Sequence, residues 1–399
     1  MFAHAQSALG TGAAYVALLV IAYERFHSPF AITAVLLAEL LPAMALGTLI
    51  GAAADRWPRK RLLIAGDVLR AGAFVGLAFV GSIEATLALA LVAGLGQAAF
   101  APTLMAALPS LVHRERLPAA TSAYGALEDV GYTAGPILAA AAYVFTDAAG
   151  VLLANGVTFG LSALVLATLA FPAVAPATPN DHAAPGSLLG SARDGIRALA
   201  SHRGALTLVL SSTAFVCFLG AVNVGQLLLV RDALGGTETD FAFVVCAMGL
   251  GFAAGSVLGA AGADAVRAKR LYLAGLLLCG LSMAACGLAP TFGLVLLAFV
   301  ALGVGNGLAL VSDNLLIQHV IPDALLGRVF GIKHSLVSWA FAVAYFGGGA
   351  LAALLGPRAL FLVIAAGCIA AWGTARAVLR GWWEAPEPST PAVPAGQPA

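Results

Sequence analysis

The sequence predicts an all-α membrane protein, with twelve transmembrane helices arranged as two six-helix bundles that are parallel repeats of one another. Three observations carry this. Of 399 residues, 61% are apolar and 10% charged, a balance foreign to soluble domains. Apolar runs follow one another at about 20 residues, the length a helix needs to cross hydrocarbon. Charged residues and glycines also recur at a fixed spacing of 209.

The runs lie near residues 5–24, 30–53, 61–82, 84–109, 119–145 and 149–171, then 204–230, 239–263, 271–289, 291–318, 328–354 and 358–379. The first run has no positive start or small-residue cleavage site before it and reads as a retained helix. Residues 1–171 form the first bundle and 204–380 the second. The linker 172–203 is cytoplasmic and carries Leu188, Leu189, Ala192, Ile196 and Leu199 opposite Arg193, Asp194 and Arg197, the pattern of an amphipathic surface helix. The tail 381–399, with Pro386, Pro388, Pro391, Pro394 and Pro398, is too Pro-rich to pack and is expected to be disordered. Trp382 and Trp383 at its start suit an interfacial anchor.

The repeat needs no gap. Asp55, Lys60, Arg61, Gly66, Gly94, Gly96 and Leu117 map onto Asp264, Lys269, Arg270, Gly275, Gly303, Gly305 and Leu326. Six spans separate the copies, so both halves share one orientation, as repeats about an axis along the membrane normal require. Alternate connections hold fifteen Lys and Arg on one side against Arg25, Arg231 and Arg358 on the other. The positive-inside rule then puts both termini in the cytoplasm of a cell bounded by this membrane.

Composition also excludes. A net charge of +1 offers no basic surface for nucleic acid. Cys217, Cys246, Cys279, Cys286 and Cys368 fall in apolar runs without a Cys-x-x-Cys pair, so no metal or redox cofactor is expected. Neither an ATP-hydrolysing Gly-rich loop nor a hydrolase or metalloprotease motif is present. An enzyme is not expected.

Ionisable residues within apolar spans are expensive and mark function by default. Glu39 stands near the middle of span two, and its repeat partner is Met248. A carboxyl there suits a group that binds and releases a proton or touches a cationic solute; a neutral packing residue is the plain alternative. Glu128 and Asp129 in span five point about 100° apart, so one faces the cavity and the other a neighbouring helix. Asp313, Lys333 and His334 can form a charge group between spans ten and eleven. Asp67 and Arg70, three apart on span three, can pair on one face near the cytoplasmic end, bracing a gate beside Asp55. Glu24, Arg25, Arg231 and Asp232 cap or gate the outer ends.

Between spans two and three runs Gly51-Ala-Ala-Ala-Asp55-Arg56-Trp57-Pro58-Arg59-Lys60-Arg61. Its Gly-x-x-x-Asp-Arg-x-x-Arg-Lys pattern resembles the loop motif of the major facilitator superfamily, and Asp264, Lys269 and Arg270 resemble the weakened second copy usual there. The resemblance implies the major facilitator fold and a gate in which Gly51, Asp55, Arg56, Arg59, Lys60 and Asp264 hold one conformation through breakable ion pairs. Gly131-Tyr-Thr-Ala-Gly135-Pro136 is similar to an element of exporters in the superfamily, with Ala139 and Ala140 where glycines are often found; close helix packing is its plain reading. Leu62 to Arg70, Pro102 to Leu117 and Gln318 to Gly331, which includes the further gate candidate Arg328, resemble the branch of enterobactin-type siderophore exporters and macrolide efflux proteins.

The expected function is secondary active transport by alternating access, with proton-coupled efflux of a small amphipathic or drug-like solute as its leading form. An importer or facilitator of a small metabolite, or a membrane sensor without transport, are the alternatives. The expected partners are the solute, protons and the lipid bilayer, and the expected state is a monomer.

Overall fold

In the computed structural model, residues 2–113, 116–169, 196–197, 199–262, 264–321 and 323–380 are described. The linker 172–195, the tail with Trp382 and Trp383, and the side chains of Gly51, Asp55, Arg56, Glu128, Asp129 and Arg328 lie outside the described set. The first half consists of α1 (Phe2–Phe26), α2 (Pro29–Arg56), α3 (Arg59–Phe79), α4 (Ile83–Leu111), α5 (Leu117–Ala142) and α6 (Ala148–Thr168). The second consists of α7 (Arg203–Leu219), α8 (Val222–Leu228), a π-helical turn (Leu229–Ala233), α9 (Glu238–Ala260), α10 (Ala265–Leu288), α11 (Phe292–Val320) and α12 (Asp323–Val378).

Helix starts are set by side chains that take up orphan backbone N–H groups. Ser82 accepts from Ala85 at α4, Asp147 from Gly150 at α6 and Asp264 from Arg267 at α10. Thr237 and Asp240 form a reciprocal capping box at α9.

Three spans differ from what the sequence predicts. Span seven is not one straight helix: it turns at Gly220 and Ala221 between α7 and α8, then widens into the π-turn. Spans eleven and twelve are joined without a loop, since Gly356 (φ 80°, ψ 167°) breaks α12 into arms 323–355 and 357–378. Only glycine adopts such a positive φ freely, and Pro357 starts the second arm where a missing N–H costs nothing. Among the described residues, nine helices are long and apolar enough to cross a membrane, with α7 to the π-turn counted as one and 329–378 as one. Twelve is reached when α12 counts as two arms and α2 and α5, whose apolar described stretches are shorter, count as spans.

The halves pack by one scheme used twice. In the first, α1 lies on α5, α2 on α4, and α3 on α4 and α6; in the second, α7 lies on the first arm of α12, α9 on α11, and α10 on α11 and α12. The repeat glycines sit at these crossings. Gly94 of α4 is pressed against the Glu39 carbonyl of α2, and Gly303 of α11 against the Met248 carbonyl of α9. A methyl group at either would overlap the facing oxygen. Gly96 and Gly305 make the equivalent approaches to Gly66 and Gly275. Between halves, α2 meets α12 and α5 meets α9.

Connections 27–28 and 234–237 mark what is here called the far end, and the chain's N-terminus marks the near end. At the far end Arg25 donates to the carbonyls of Leu77, Ala78 and Val80, closing α3. Arg358 closes α10 in the same way through Ala289 (2.7 Å). Cations at helix C-termini are favoured by the exposed carbonyls and the macrodipole.

Replacing Gly303 by Ala is expected to lower the melting temperature in detergent through overpacking worth about 1–3 kcal/mol. Replacing Gly160, whose Cβ would meet nothing within 4 Å, is expected to leave it level or raise it, since Ala favours a helix by about 0.5–1 kcal/mol. Equal effects in a thermal unfolding assay would contradict the crossing role.

Candidate functional site

Midway along the helices lies a cavity of about 630 Å³ between the halves. Its walls pair by the repeat register: Ala14 with Asn223, Leu36 with Val245, Glu39 with Met248, Leu40 with Gly249, Ala43 with Phe252, Gln97 with Asn306, and Pro136 with Tyr345. The cavity therefore sits on the pseudo-twofold axis. Among the described residues the two charged ones that line it, Glu39 and Arg70, both come from the first half.

They differ in what surrounds them. The Glu39 carboxyl carries no hydrogen bond or ion pair among the described residues. Arg70 is already neutralised: its guanidinium pairs with fully buried Asp67 at 2.5 Å and donates to Gln97 Oε1 at 2.6 Å. It also lies over the rings of Phe100 (4.4 Å) and Phe159 (4.2 Å), a geometry attractive to a planar cation. Glu39 and Arg70 flank one turn of α4, with Gly94 against the Glu39 backbone and Gly96 against the Arg70 side chain. At the register positions of Asp67, Arg70, Phe100 and Phe159 the second half has Leu276, Cys279, Ala309 and Cys368. At these positions the first half is charged and the second is not.

By sequence, Asp67 and Arg70 are expected at the near end as braces of a gate. The structure corrects this: Arg70 reaches the central cavity, because its place midway along α3 points it between α4 and α6. Lys60 also differs. Its ammonium donates to the carbonyls of Ala167 (2.7 Å) and Leu169 (2.8 Å), closing the C-terminus of α6 within the first half. Asp264 is an exposed helix cap, and Arg59 is half-buried at the start of α3.

Asp313 and Lys333 do meet, at 2.6 Å and almost wholly buried, and Lys333 also donates to Asn314 at 2.7 Å. His334 does not join them; one residue further round the helix, it is exposed. This pair holds α11 to α12 and does not line the cavity. Gly131 and Gly135 are packed on Ala8, Gly12 and Ala13 of α1, so this element sets the α1–α5 crossing, while Pro136 lines the cavity.

Five neutral residues not anticipated from the sequence shape the far wall. Tyr15 Oη donates to Asn223 Oδ1 (3.0 Å) and accepts from Gln226 Nε2 (3.2 Å), and Asn223 donates to Tyr345 Oη (3.5 Å). Thr33 Oγ1 donates to the Tyr345 carbonyl (3.0 Å). Further toward the far end Tyr23 donates to Asp232, and Arg231 pairs with Glu24 at 3.2 Å. Apart from Asn223 to Tyr345, which lies within the second half, these bonds join the two halves, and they lie at cavity level or beyond it toward the far end.

A sequence model of the Major Facilitator Superfamily matches residues 1–232 and 210–399. The chain belongs to the major facilitator superfamily. It is 22% identical over 359 residues to macrolide efflux protein A of Streptococcus pyogenes, covering 87% of each chain. To the multidrug efflux pump Tap of Mycobacterium tuberculosis it is 25% identical over 381 residues, covering 92% of this chain and 89% of Tap. A point mutant of the nucleoside transporter NupG superposes with a TM-score of 0.74 at 13% identity, over 94% of this chain and 97% of that one. The fold and family are those of membrane transporters that carry small molecules, and the efflux relatives agree with the resemblance in the sequence.

For this superfamily member, Arg70→Cys alone is expected to strand the buried Asp67 carboxylate and cost about 3–5 kcal/mol. Adding Asp67→Leu gives α3 the residues that α10 carries at the same register, and is expected to recover most of the loss. A double variant no more stable than the single one, by thermal unfolding in detergent, would refute this view of the pair.

Proposed function

We propose that the chain exports small amphipathic, drug-like solutes across the cytoplasmic membrane in exchange for protons, by rocking its two halves about the central cavity. The observation that carries this reading is Glu39, a carboxyl on the cavity wall with no partner among the described residues. A carboxyl in a low-dielectric cavity exchanges its proton for a cationic or hydrogen-bonding solute, so proton and solute occupy the site in turn. The efflux relatives support the direction.

On this reading both termini are cytoplasmic, the far end is the extracellular face, and the molecule is held closed there by Tyr23, Glu24, Arg231 and Asp232. The loop around Asp55, Arg56 and Arg328 forms the opposite gate, engaged when the cytoplasmic side closes. Glu128 or Asp129 assists Glu39 from α5. The protein works as a monomer without a cofactor. A facilitator moving solute without protons is the second reading, and the single-sided placement of Glu39 weighs against it.

In proteoliposomes containing a pH-sensitive dye, solute-driven proton movement is expected in the wild type and not in Glu39→Gln, whereas solute exchange at equal pH survives. Proton movement that persists unchanged in the variant would exclude Glu39 as the coupling group. Asp55→Asn is expected to slow turnover several-fold while leaving solute affinity within about twofold, since a gate residue alters rates between states more than binding in either. An equal loss of affinity and turnover, measured by equilibrium binding beside transport, would count against the gate.

A further inference from the structure

Tyr15 of α1 is bonded to Asn223 and Gln226 of α8 across the junction of the halves, on the far wall of the cavity. The three differ in access. Tyr15 and Asn223 line the cavity, whereas Gln226 is fully buried behind them, and its Oε1 has no partner. Opening the far end must separate α1 from α8. Before water enters, that movement strands the fully buried Gln226 amide in an apolar setting, and a buried polar group without a partner is more costly than its bond was worth.

A solute in the cavity changes this. A hydroxyl or amide brought to Tyr15 and Asn223 both donates and accepts, so it can take over the bonds that the halves make to each other. Opposite it, Glu39 offers a carboxyl, and between them Leu18, Phe74, Phe252 and Phe341 supply an apolar wall.

We propose that Tyr15, Asn223 and Gln226 form a recognition subsite for an uncharged hydrogen-bonding group of the solute, and that its occupation unlocks the far-end seal. The substrate class is thereby an apolar, ring-containing body with a basic nitrogen for Glu39 and a hydroxyl or amide for this subsite. The direction of movement rests on the export reading; the subsite and its hold on the seal do not. The empty carrier stays shut because nothing replaces the bonds, which limits leakage without solute.

The test uses the full-length protein with Val230, fully buried in the π-turn of the far end, changed to Cys, and its labelling by a membrane-impermeant maleimide compared with the parent lacking that cysteine. Quinine and 9-deoxyquinine, which share a basic nitrogen and differ by one hydroxyl, are the probes. Quinine is expected to bind about tenfold more tightly, the factor for roughly one net hydrogen bond, and to speed labelling. Tyr15→Phe and Gln226→Leu are expected to speed labelling without any probe and to bring the two affinities within about twofold. Thermal unfolding of Gln226→Leu in detergent, expected within a few degrees of the wild type, checks that its effects are not loss of fold.

Unchanged labelling in both Tyr15→Phe and Gln226→Leu would overturn the hold on the seal. Faster labelling with quinine still preferred would overturn the subsite, as would wild type that fails to bind quinine or binds both probes equally. A wild type that moves no protons, with variants behaving as expected, would remove the exchange reading and leave the subsite standing.

Discussion

Lipid tails give a helix no hydrophobic reason to leave them for another helix, so association inside a bilayer rests on how closely backbones approach. Here the approach is made by glycine in both halves at once. Gly94 on the Glu39 carbonyl and Gly303 on the Met248 carbonyl fix the crossing of α2 with α4 and of α9 with α11. Because these crossings share one register, the cavity lining inherits the same pairing, and the space between the halves lies on their common axis. The position of Glu39 follows directly: its backbone is part of the crossing, so its carboxyl is held at the cavity by the contact that builds the half.

Symmetry of the backbone contrasts with asymmetry of charge. The first half keeps Asp67, Arg70 and Glu39 near its centre, while the second places Leu276, Cys279 and Met248 there and buries its own ion pair, Asp313 with Lys333, away from the cavity. A repeated scaffold thus carries unlike interiors. Among the described residues the first half supplies the cavity's charge, and the second supplies most of the amide and hydroxyl groups at its far wall through Asn223, Gln226 and Tyr345.

The fold was legible because lipid restricts the choices so strongly: long apolar runs, paired charges and glycines on one register leave little but helices in two like bundles. The break within span seven and the loopless joint at Gly356 were harder to read, since a glycine in an apolar run looks alike whether it packs, bends or ends a helix. Glu39 stood out as a charge that must have a reason to be in lipid. Tyr15, Asn223, Gln226 and Tyr345 did not, because neutral polar side chains are tolerated in many places and their meeting depends on how the halves dock. Lys60 shows the converse: its loop motif directs attention to a gate, while its ammonium closes α6 within its own half.

The joint at Gly356 sets the mechanics of the second half. The first arm of α12 bears Phe341 and Tyr345 on the cavity, and the second begins with Pro357 and Arg358, the latter fastened to the end of α10. With one residue between the arms there is no slack, so the inner arm cannot slide along its axis without dragging the outer one. Tilting about Gly356 is the freedom that remains. The second half is in this respect a lever with its pivot at the membrane surface, and a push on Tyr345 is delivered as torque to α10 instead of being lost in a flexible loop.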